Sequence, residues 1–243
     1  MAEQIKLEAM LLTLERYAQE YQTLPQAKEK IQAVQEVLLA YQQQQLPVQP
    51  LPELEFSEDF LFEHLDAYPD ILELEGTLND LRQCVIESFG IWHIFSRVWA
   101  ADLAAYLKQR PTLQVMAGNG VLASQLLNVL ATDDFNWHGQ DITRPAPWTN
   151  VVKIDALAAV QQYYREVEVL LIEWAPDSHE VDYEILRFLR SVKWAGELIV
   201  VGEKRGATNS KKFWEQAKLE KIGQLNLHHQ PFDFIHDQVY RVR

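Results

Sequence analysis

The chain has 243 residues, of which 48% are hydrophobic, so it is long enough to bury one substantial core with a smaller helical region beside it. Lysine and arginine total 22 against 35 aspartate and glutamate residues, and the net charge of −13 argues against docking on a nucleic-acid backbone. A single cysteine, Cys84, excludes an intrachain disulfide and a cysteine-based zinc cluster, which is typical of a cytoplasmic protein.

Two amphipathic helices are predicted at the start of the chain. Apolar residues recur at helical spacing from Ile5 to about Gln22, and again from Gln26 to about Gln45 after a break at Pro25. Charges interrupt the first segment, so neither a signal-peptide core nor a membrane-spanning run is expected. The two helices are expected to pack as an antiparallel hairpin. So short a hairpin is not expected to bury all of its own apolar face, which suggests a homodimer or a partner contact.

A linker and an acidic block are predicted next. Pro47, Pro50 and Pro52 cannot continue a helix and indicate an extended linker. Between Ile31 and Leu81 the sequence has no lysine or arginine, while ten acidic residues lie between positions 53 and 80. We interpret this block as a solvated face, with an acidic docking surface for a basic partner as the alternative.

The remainder of the chain predicts an α/β fold. Helical spacing returns from about Leu78 to Gln109, with Gly90 marking the join between two helices. Helical stretches then alternate with the short apolar runs LQVM, WHGQDI, VVKI, VEVLLI, GELIVV and a final pair near LNLHH and QVYRV. We expect a Rossmann-like, mainly parallel seven-stranded sheet after an N-terminal α-helical region. The expected domains are a hairpin with its linker (1–52), an acidic helical region (53–112) and a Rossmann-like domain (113–243).

The strongest local signal is the run LQVMAGNGVLASQLL at positions 113–127, which predicts a strand, a glycine turn and a helix. Gly118 and Gly120 permit positive φ and let a ligand approach the backbone. The predicted helix would also present unpaired N–H groups to a polar ligand. A short glycine pair in an ordinary turn is the alternative interpretation.

Two aspartates follow at predicted strand ends. Asp141 closes the second predicted strand, where a carboxylate can accept hydrogen bonds from both ribose hydroxyls, although it can also cap the turn after it. Its spacing from the glycine turn favours the ligand role. Asp155 ends the next apolar run and either accepts from an adenine amino group or caps the helix that begins at Ala156.

Glu173 and Trp174 follow a predicted buried strand, at the sheet edge where open α/β sheets bind ligands. Glu173 is a candidate base and Trp174 a candidate stacking wall, with solvation and packing as the alternatives. The seven histidines show no metal-ligand spacing along the chain, so no metal is predicted. Without a G-x-S-x-G elbow, a hydrolase is a minor option.

These motifs together resemble class I S-adenosylmethionine-dependent methyltransferases. AGNG, the acidic strand end, IDAL, LLIEWAP and LIVVGE carry the resemblance, which covers about Phe89 to Arg243. More closely, the run is similar to a methyltransferase-like group with GAGTGYW and WPPY motifs. The resemblance implies that S-adenosylmethionine contacts Ala117, Gly118, Asn119 and Gly120 on its methionine side, Asp141 at the ribose and Asp155 at the adenine, beside a catalytic loop from Trp174 to Asp177.

The sequence also departs from that family. Gln114 stands where the family often has an acid, Met116 where it often has the first glycine, and WAPD in place of WPPY. The Asp/Asn-Pro-Pro-Tyr form of amino-group methyltransferases is missing, so a small-molecule substrate is expected and nucleic acid is not. One alternative is a degenerate cofactor-binding or interaction protein that works through its helical hairpin. Another is an NAD-dependent oxidoreductase, although Ala123 replaces the third glycine of G-x-G-x-x-G.

Overall fold

Six helices form the N-terminal part of the chain in the computed structural model, which describes residues 2–137 and 144–243. They are α1 (Ala2–Glu20), α2 (Pro25–Gln42), α3 (Glu58–His64), α4 (Ile71–Asn79), α5 (Leu81–Phe89) and α6 (Arg97–Leu107). Within these described ranges, no helix combines the length and the apolar character needed to cross a lipid bilayer.

The ends of these helices follow local sequence signals. Pro25 occupies the first turn of α2, where a backbone N–H would have no helical partner. Ser96 caps α6 by accepting a hydrogen bond from the backbone N–H of Trp99 at 3.2 Å. Gly90 ends α5 with a φ of 62°, in the left-handed region that favours glycine. The two predicted N-terminal helices and the predicted join at Gly90 are therefore confirmed.

The first two helices bury their apolar face inside the protein. Leu14, Ile31, Val34 and Leu38 have no exposed surface, and they belong to one hydrophobic core that extends to Ile199 in the sheet. The sequence predicts a homodimer through this face, but the chain itself covers it. The dimer therefore stays a prediction without support from the hairpin.

The proline-containing segment between α2 and α3 packs against the helices instead of acting as a spacer. Leu51 and Leu54 on this segment are buried. The buried Lys30 of α2 donates hydrogen bonds to the carbonyl oxygens of Glu53 and Glu55. Burial lowers the pKa of Lys30, which the neighbouring carboxylate of Glu53 partly opposes. The segment is not helical, as predicted, but it does not separate the hairpin from the rest of the chain.

Replacing Lys30 with alanine should lower the free energy of unfolding by about 1–3 kcal/mol, because two carbonyl groups of the packed segment lose their donor. Lys28, which is exposed on the same helix, provides the matched control, and Lys28→Ala should leave stability nearly unchanged. Urea unfolding of both variants measures the difference. Equal stability of the two variants would show that the Lys30 contacts do not hold the segment.

The second part of the chain forms a seven-stranded, mostly parallel sheet, so the predicted fold class is confirmed. The strand order is β3-β2-β1-β4-β5-β7-β6, and β7 runs antiparallel to both of its neighbours. The strands are β1 (Thr112–Val115), β2 (Val129–Asp133), β3 (Val151–Lys153), β4 (Val169–Glu173), β5 (Glu197–Gly202), β6 (Leu219–Lys221) and β7 (Gln238–Val242).

Both faces of this sheet are covered by helices. Val169 and Leu171 of β4 belong to the core that contains the N-terminal helices. Leu170 and Ile172 belong to a second core, shared with α7 (Ala156–Tyr163), α8 (Val181–Ser191) and α9 (Lys211–Gln216). Successive side chains of a strand point to opposite faces, so an unbroken apolar run such as VLLI is what a doubly covered strand requires.

The topology creates a crevice at one edge of the sheet. Strand β1 lies in the middle, with β2 parallel to it on one side and β4 parallel to it on the other. The chain therefore leaves the carboxyl ends of β1 and β4 in opposite directions, which is the switch point where open α/β sheets bind ligands.

Two predicted strands are displaced from their predicted positions. The neighbour of β1 is Val129–Asp133 instead of WHGQDI (positions 137–142), of which residues 138–142 lie outside the described part of the chain. In β2 only Val129, Leu130 and Ala131 are apolar, and the LASQLL run before them has helical spacing. The sequence pattern for a strand is therefore weak at β2. The partner of β7 is Leu219–Lys221 instead of LNLHH, because a 3-10 turn forms at Gly223–Asn226.

Candidate functional site

A cleft of about 780 Å³ lies at the carboxyl edge of the sheet. It is lined by residues that follow β1 to β4 and by the connection between α5 and α6. This volume falls in the range of about 300–1,000 Å³ that is typical of small-molecule sites. The structure therefore places the candidate site at the edge that the strand-end motifs predict.

The loop after β1 has the backbone conformation that a glycine turn requires. The backbone N–H of Gly120 donates to the carbonyl oxygen of Ala117 at 2.8 Å, which closes a tight turn. Met116 and Gly118 have φ angles of 52° and 54°. The family resemblance places a glycine at position 116, and the left-handed φ of Met116 is a conformation that glycine adopts without strain.

The prediction of an α-helix directly after this loop is wrong. Only a 3-10 turn forms at Ala123–Gln125, and Leu126 is already extended. The hydroxyl of Ser124 donates to the carbonyl oxygen of Val121 at 2.6 Å, a local bond that competes with regular helix formation. The cleft therefore has no helix N-terminus behind the glycine turn, and an anionic group would not meet a helix dipole there.

Asn119 fixes the position of the loop. Its side-chain amide donates to the carbonyl oxygens of Phe89 and Gly90 at 2.9 and 3.1 Å. Its side-chain oxygen accepts from the backbone N–H of Ala146 at 2.7 Å. Asn119 lines the cleft, as predicted for a cofactor contact, but its buried side chain ties the glycine loop to two other segments.

Asp133 is the acidic residue at the end of the second strand, and it was not among the predicted site residues. Its Oδ2 accepts from the backbone N–H of Gly118 at 2.8 Å, and its Oδ1 accepts from the backbone N–H of Phe135 at 2.8 Å. Asp133 is 8% exposed and lines the cleft. Burial raises the pKa of Asp133, and the hydrogen bonds from Phe135 and Gly118 oppose this shift. The run VLATDD at positions 129–134 could have indicated Asp133, since an acidic residue follows a short apolar stretch there.

The two aspartates predicted from the sequence have different outcomes. Asp141 lies outside the described residues, so its predicted ribose contact stays a prediction. Asp155 lines the cleft and also caps α7, where its Oδ1 accepts from the backbone N–H of Ala158 at 3.0 Å. The capping interpretation of Asp155 is thus confirmed, and its place in the cleft keeps the adenine contact as a prediction.

Glu173 and Trp174 lie at the carboxyl end of β4, as predicted, but their side chains make contacts within the protein. The two carboxylate oxygens of Glu173 accept from Nδ1 of His93 at 2.7 Å and from Nε2 of Gln114 at 3.0 Å. An amide, and not a second carboxylate, therefore faces Glu173 at position 114. The indole N–H of Trp174 donates to Asp237 at 2.5 Å. Glu173 is therefore placed to orient His93.

A buried polar cluster lies beneath the cleft. Nε2 of His93 lies 2.8 Å from Nε2 of His229, and Oδ2 of Asp237 lies 3.8 and 3.6 Å from these two nitrogens. Burial lowers the pKa of His229 to about 4, although the nearby Asp237 favours the charged form. His93 and His229 are 136 positions apart, so sequence spacing could not reveal the cluster.

Arg82 ties this cluster to the segment before β7. Its Nε and Nη2 donate to the two carboxylate oxygens of Asp233 at 2.6 and 3.1 Å, and its Nη1 donates to the carbonyl oxygen of Trp92. The guanidinium lies between the rings of Trp174 and Phe232, 4.5 and 4.6 Å from their centroids. Such a paired and stacked arginine is stable when buried.

The cleft carries acidic groups and, among the described residues that line it, no lysine or arginine. Its acidic members are Asp133, Asp134, Asp155, Glu173 and Asp177. Their summed field favours a cationic ligand and opposes a phosphate-bearing one.

The two loop glycines should respond differently to substitution. A Cβ at Gly118 meets nothing within 4 Å, whereas a Cβ at Gly120 would lie 2.7 Å from Cγ2 of Val151. Because both residues have positive φ, either alanine costs about 1–2 kcal/mol of backbone strain. Gly120→Ala should cost at least about 1 kcal/mol more through overpacking. Urea unfolding measures this difference, and equal losses would contradict the tight packing at Gly120.

Comparison with the models of known protein families gives no match to this chain, and comparison with curated proteins gives none either. The resemblance of the motifs to methyltransferases therefore stays a prediction. The function has to be inferred from the geometry and the charge of the cleft.

Proposed function

We propose that the chain binds S-adenosylmethionine in the cleft at the carboxyl edge of the sheet and transfers its methyl group to a small molecule. The observation that carries the proposal is the charge of this cleft. Five acidic side chains line it, without a lysine or arginine among the described lining residues. S-adenosylmethionine is a nucleoside ligand that has a positive sulfonium and no phosphate, and such a ligand fits this field.

The same charge argues against the dinucleotide alternative. NAD carries a pyrophosphate, which needs backbone N–H groups at a helix N-terminus or basic side chains. The described loop after β1 ends in a 3-10 turn instead of an α-helix. An NAD-dependent oxidoreductase is therefore the weaker hypothesis.

The contacts at the loop are consistent with an adenosine ligand. Gly118 leaves open space where a side chain would be, so a ligand can approach its backbone. Asp133 lies beside it at the end of β2, where a carboxylate can accept hydrogen bonds from ribose hydroxyls. Among the described residues, Oδ2 of Asp133 accepts one hydrogen bond, from Gly118, and keeps a second lone pair. We therefore assign the ribose contact to this oxygen, and the adenine amino group to Asp155, which also lines the cleft.

The chemical step in this proposal depends on positioning. Both oxygens of Glu173 are hydrogen-bonded within the protein, so Glu173 is not placed as a base. Methyl transfer needs the acceptor atom in line with the sulfonium methyl group, and correct orientation supplies much of the rate acceleration. The acceptor would enter past the exposed loop of residues 176–180. This arrangement suits an acceptor that is already nucleophilic at neutral pH.

Isothermal titration calorimetry tests the proposal. Purified protein is titrated in parallel with S-adenosylmethionine, S-adenosylhomocysteine and NAD at the same ionic strength. We expect the first two ligands to bind with one site per chain and NAD to give no heat of binding. Gly118→Ala should weaken S-adenosylmethionine binding about tenfold or more, since its methyl group enters the space beside the ligand. Binding of NAD alone, or of none of the three ligands, would overturn the proposal.

A further inference from the structure

We propose that the cluster beneath the cleft binds a divalent metal ion of the zinc class through Nε2 of His93, Nε2 of His229 and Oδ2 of Asp237. The three atoms lie 2.8, 3.6 and 3.8 Å from one another. Ligand atoms that surround a tetrahedral zinc ion at about 2.0–2.1 Å are separated by about 3.4 Å. The observed separations lie on both sides of that value, so one ion can reach all three atoms.

The donor atoms suit zinc chemistry. Two imidazoles and one carboxylate form a nitrogen and oxygen set that borderline metals such as zinc prefer. Nδ1 of His93 donates to Glu173 at 2.7 Å, which directs the lone pair of its Nε2 towards the proposed ion. The indole N–H of Trp174 in turn holds the Asp237 carboxylate. The ligands are thus oriented by their neighbours.

The charge balance of the cluster also calls for a cation. The side chains of Glu173, Asp233 and Asp237 are 10%, 1% and 7% exposed. In the part of the chain that the structure describes, Arg82 is the one arginine or lysine in contact with this cluster, and its guanidinium pairs with Asp233. Buried carboxylates are costly unless they are paired or bind metal, so a divalent ion would compensate Glu173 and Asp237.

The surroundings are consistent with a buried site that has three protein ligands and one water. A void of about 20 Å³ next to His229 and Asp237 has room for one water as a fourth ligand. His93 lies between α5 and α6, whereas His229 and Asp237 lie in the segment before β7. The ion would therefore join the connection between α5 and α6, part of which lines the cleft, to the segment before β7. This inference is independent of the proposed methyl transfer.

Metal binding by the full chain tests the inference directly. Protein that has been treated with a chelator and then desalted is titrated with Zn²⁺ by calorimetry, and with Co²⁺ by visible absorption. We expect one ion per chain and the intense visible bands of tetrahedral cobalt. The wild-type chain gives both readouts, so the test does not depend on the folding of a variant. Absence of Zn²⁺ binding, or only the weak spectrum of octahedral cobalt, would overturn the inference and leave a simple His93–His229 hydrogen bond.

Variants locate the site. His229→Gln and Asp237→Asn should weaken Zn²⁺ binding by about 100-fold or more. Glu173→Gln should weaken it by about 10- to 100-fold, because it replaces the carboxylate that faces Nδ1 of His93 with a neutral amide. The adjacent His228, which is half-exposed and bonded to Asp102, provides the matched control, and His228→Gln should keep wild-type affinity. Equal Zn²⁺ affinity of His229→Gln and His228→Gln would place the ion elsewhere and reject this site.

Discussion

Arg82→Ala should destabilise the protein by about 3–5 kcal/mol, because it leaves the carboxylate of Asp233 buried without its partner. Asp233 is 1% exposed on its side chain, and of its described donors only the backbone N–H of Ile235 would remain. The same substitution removes the cation that lies between Trp174 and Phe232. Chemical unfolding followed by circular dichroism measures the loss.

Two further variants separate the charge from the packing. Arg82→Met combined with Asp233→Asn removes both charges and keeps much of the volume, so this double variant should be more stable than Arg82→Ala. Arg187, which is exposed on α8, serves as the surface control, and its alanine variant should behave as the wild type does. A loss of less than about 1 kcal/mol for Arg82→Ala would mean that the pair does not anchor the segment before β7.

Asp133→Asn should weaken the binding of S-adenosylmethionine and S-adenosylhomocysteine by about 10- to 100-fold. A hydrogen bond to a charged acceptor contributes about 1.5–3 kcal/mol, and the amide offers one acceptor oxygen in place of two. Asp134, the exposed neighbour in the same cleft, provides the matched control. Calorimetric titration of the two variants should show a large loss for Asp133→Asn and a clearly smaller loss for Asp134→Asn, which removes the same charge from the cleft but no proposed ribose contact. The reverse order would contradict our assignment of the ribose contact.

The raised pKa of Asp133 predicts a pH dependence of its own. As the pH falls, the Asp133 carboxylate takes up a proton at a higher pH than an ordinary aspartate, whose pKa is 3.8. Ligand affinity should therefore begin to fall at a higher pH than the titration of an ordinary aspartate would give, and the fall should be smaller in Asp133→Asn. The stability of the unliganded protein should change with pH in the opposite direction to ligand affinity. Protonated Asp133 contributes stability at low pH, and this contribution is lost as the pH rises through its raised pKa. Parallel pH profiles of affinity for the two proteins would contradict this role.

Strand patterns explain why most of the sheet could be predicted. Strand β4 has an unbroken apolar run because helices cover both of its faces, and such a run is visible in the sequence. Strand β2 is harder to recognise, since Val129, Leu130 and Ala131 follow directly on a segment with helical spacing. The sequence pattern places the second strand at WHGQDI, so the expected ribose contact falls on Asp141 and the acid at the end of β2, Asp133, is overlooked.

The candidate site could be predicted only where its residues lie next to each other in the chain. The glycine turn around Gly118 has a local pattern, and its place at the sheet edge follows from the parallel order of the strands. His93, His229 and Asp237 come from segments far apart in the chain, and Arg82 meets Asp233 across 151 positions. No spacing rule applies to such pairs, because tertiary packing alone brings them together.

The most direct test of the central claim is a crystal structure of the chain grown with S-adenosylhomocysteine. We predict that the adenosine lies in the cleft, with its ribose hydroxyls in hydrogen-bond contact with Asp133 and its amino acid part beside Gly118. Ligand density at another surface, or a cleft without ligand at saturating concentration, would contradict the account.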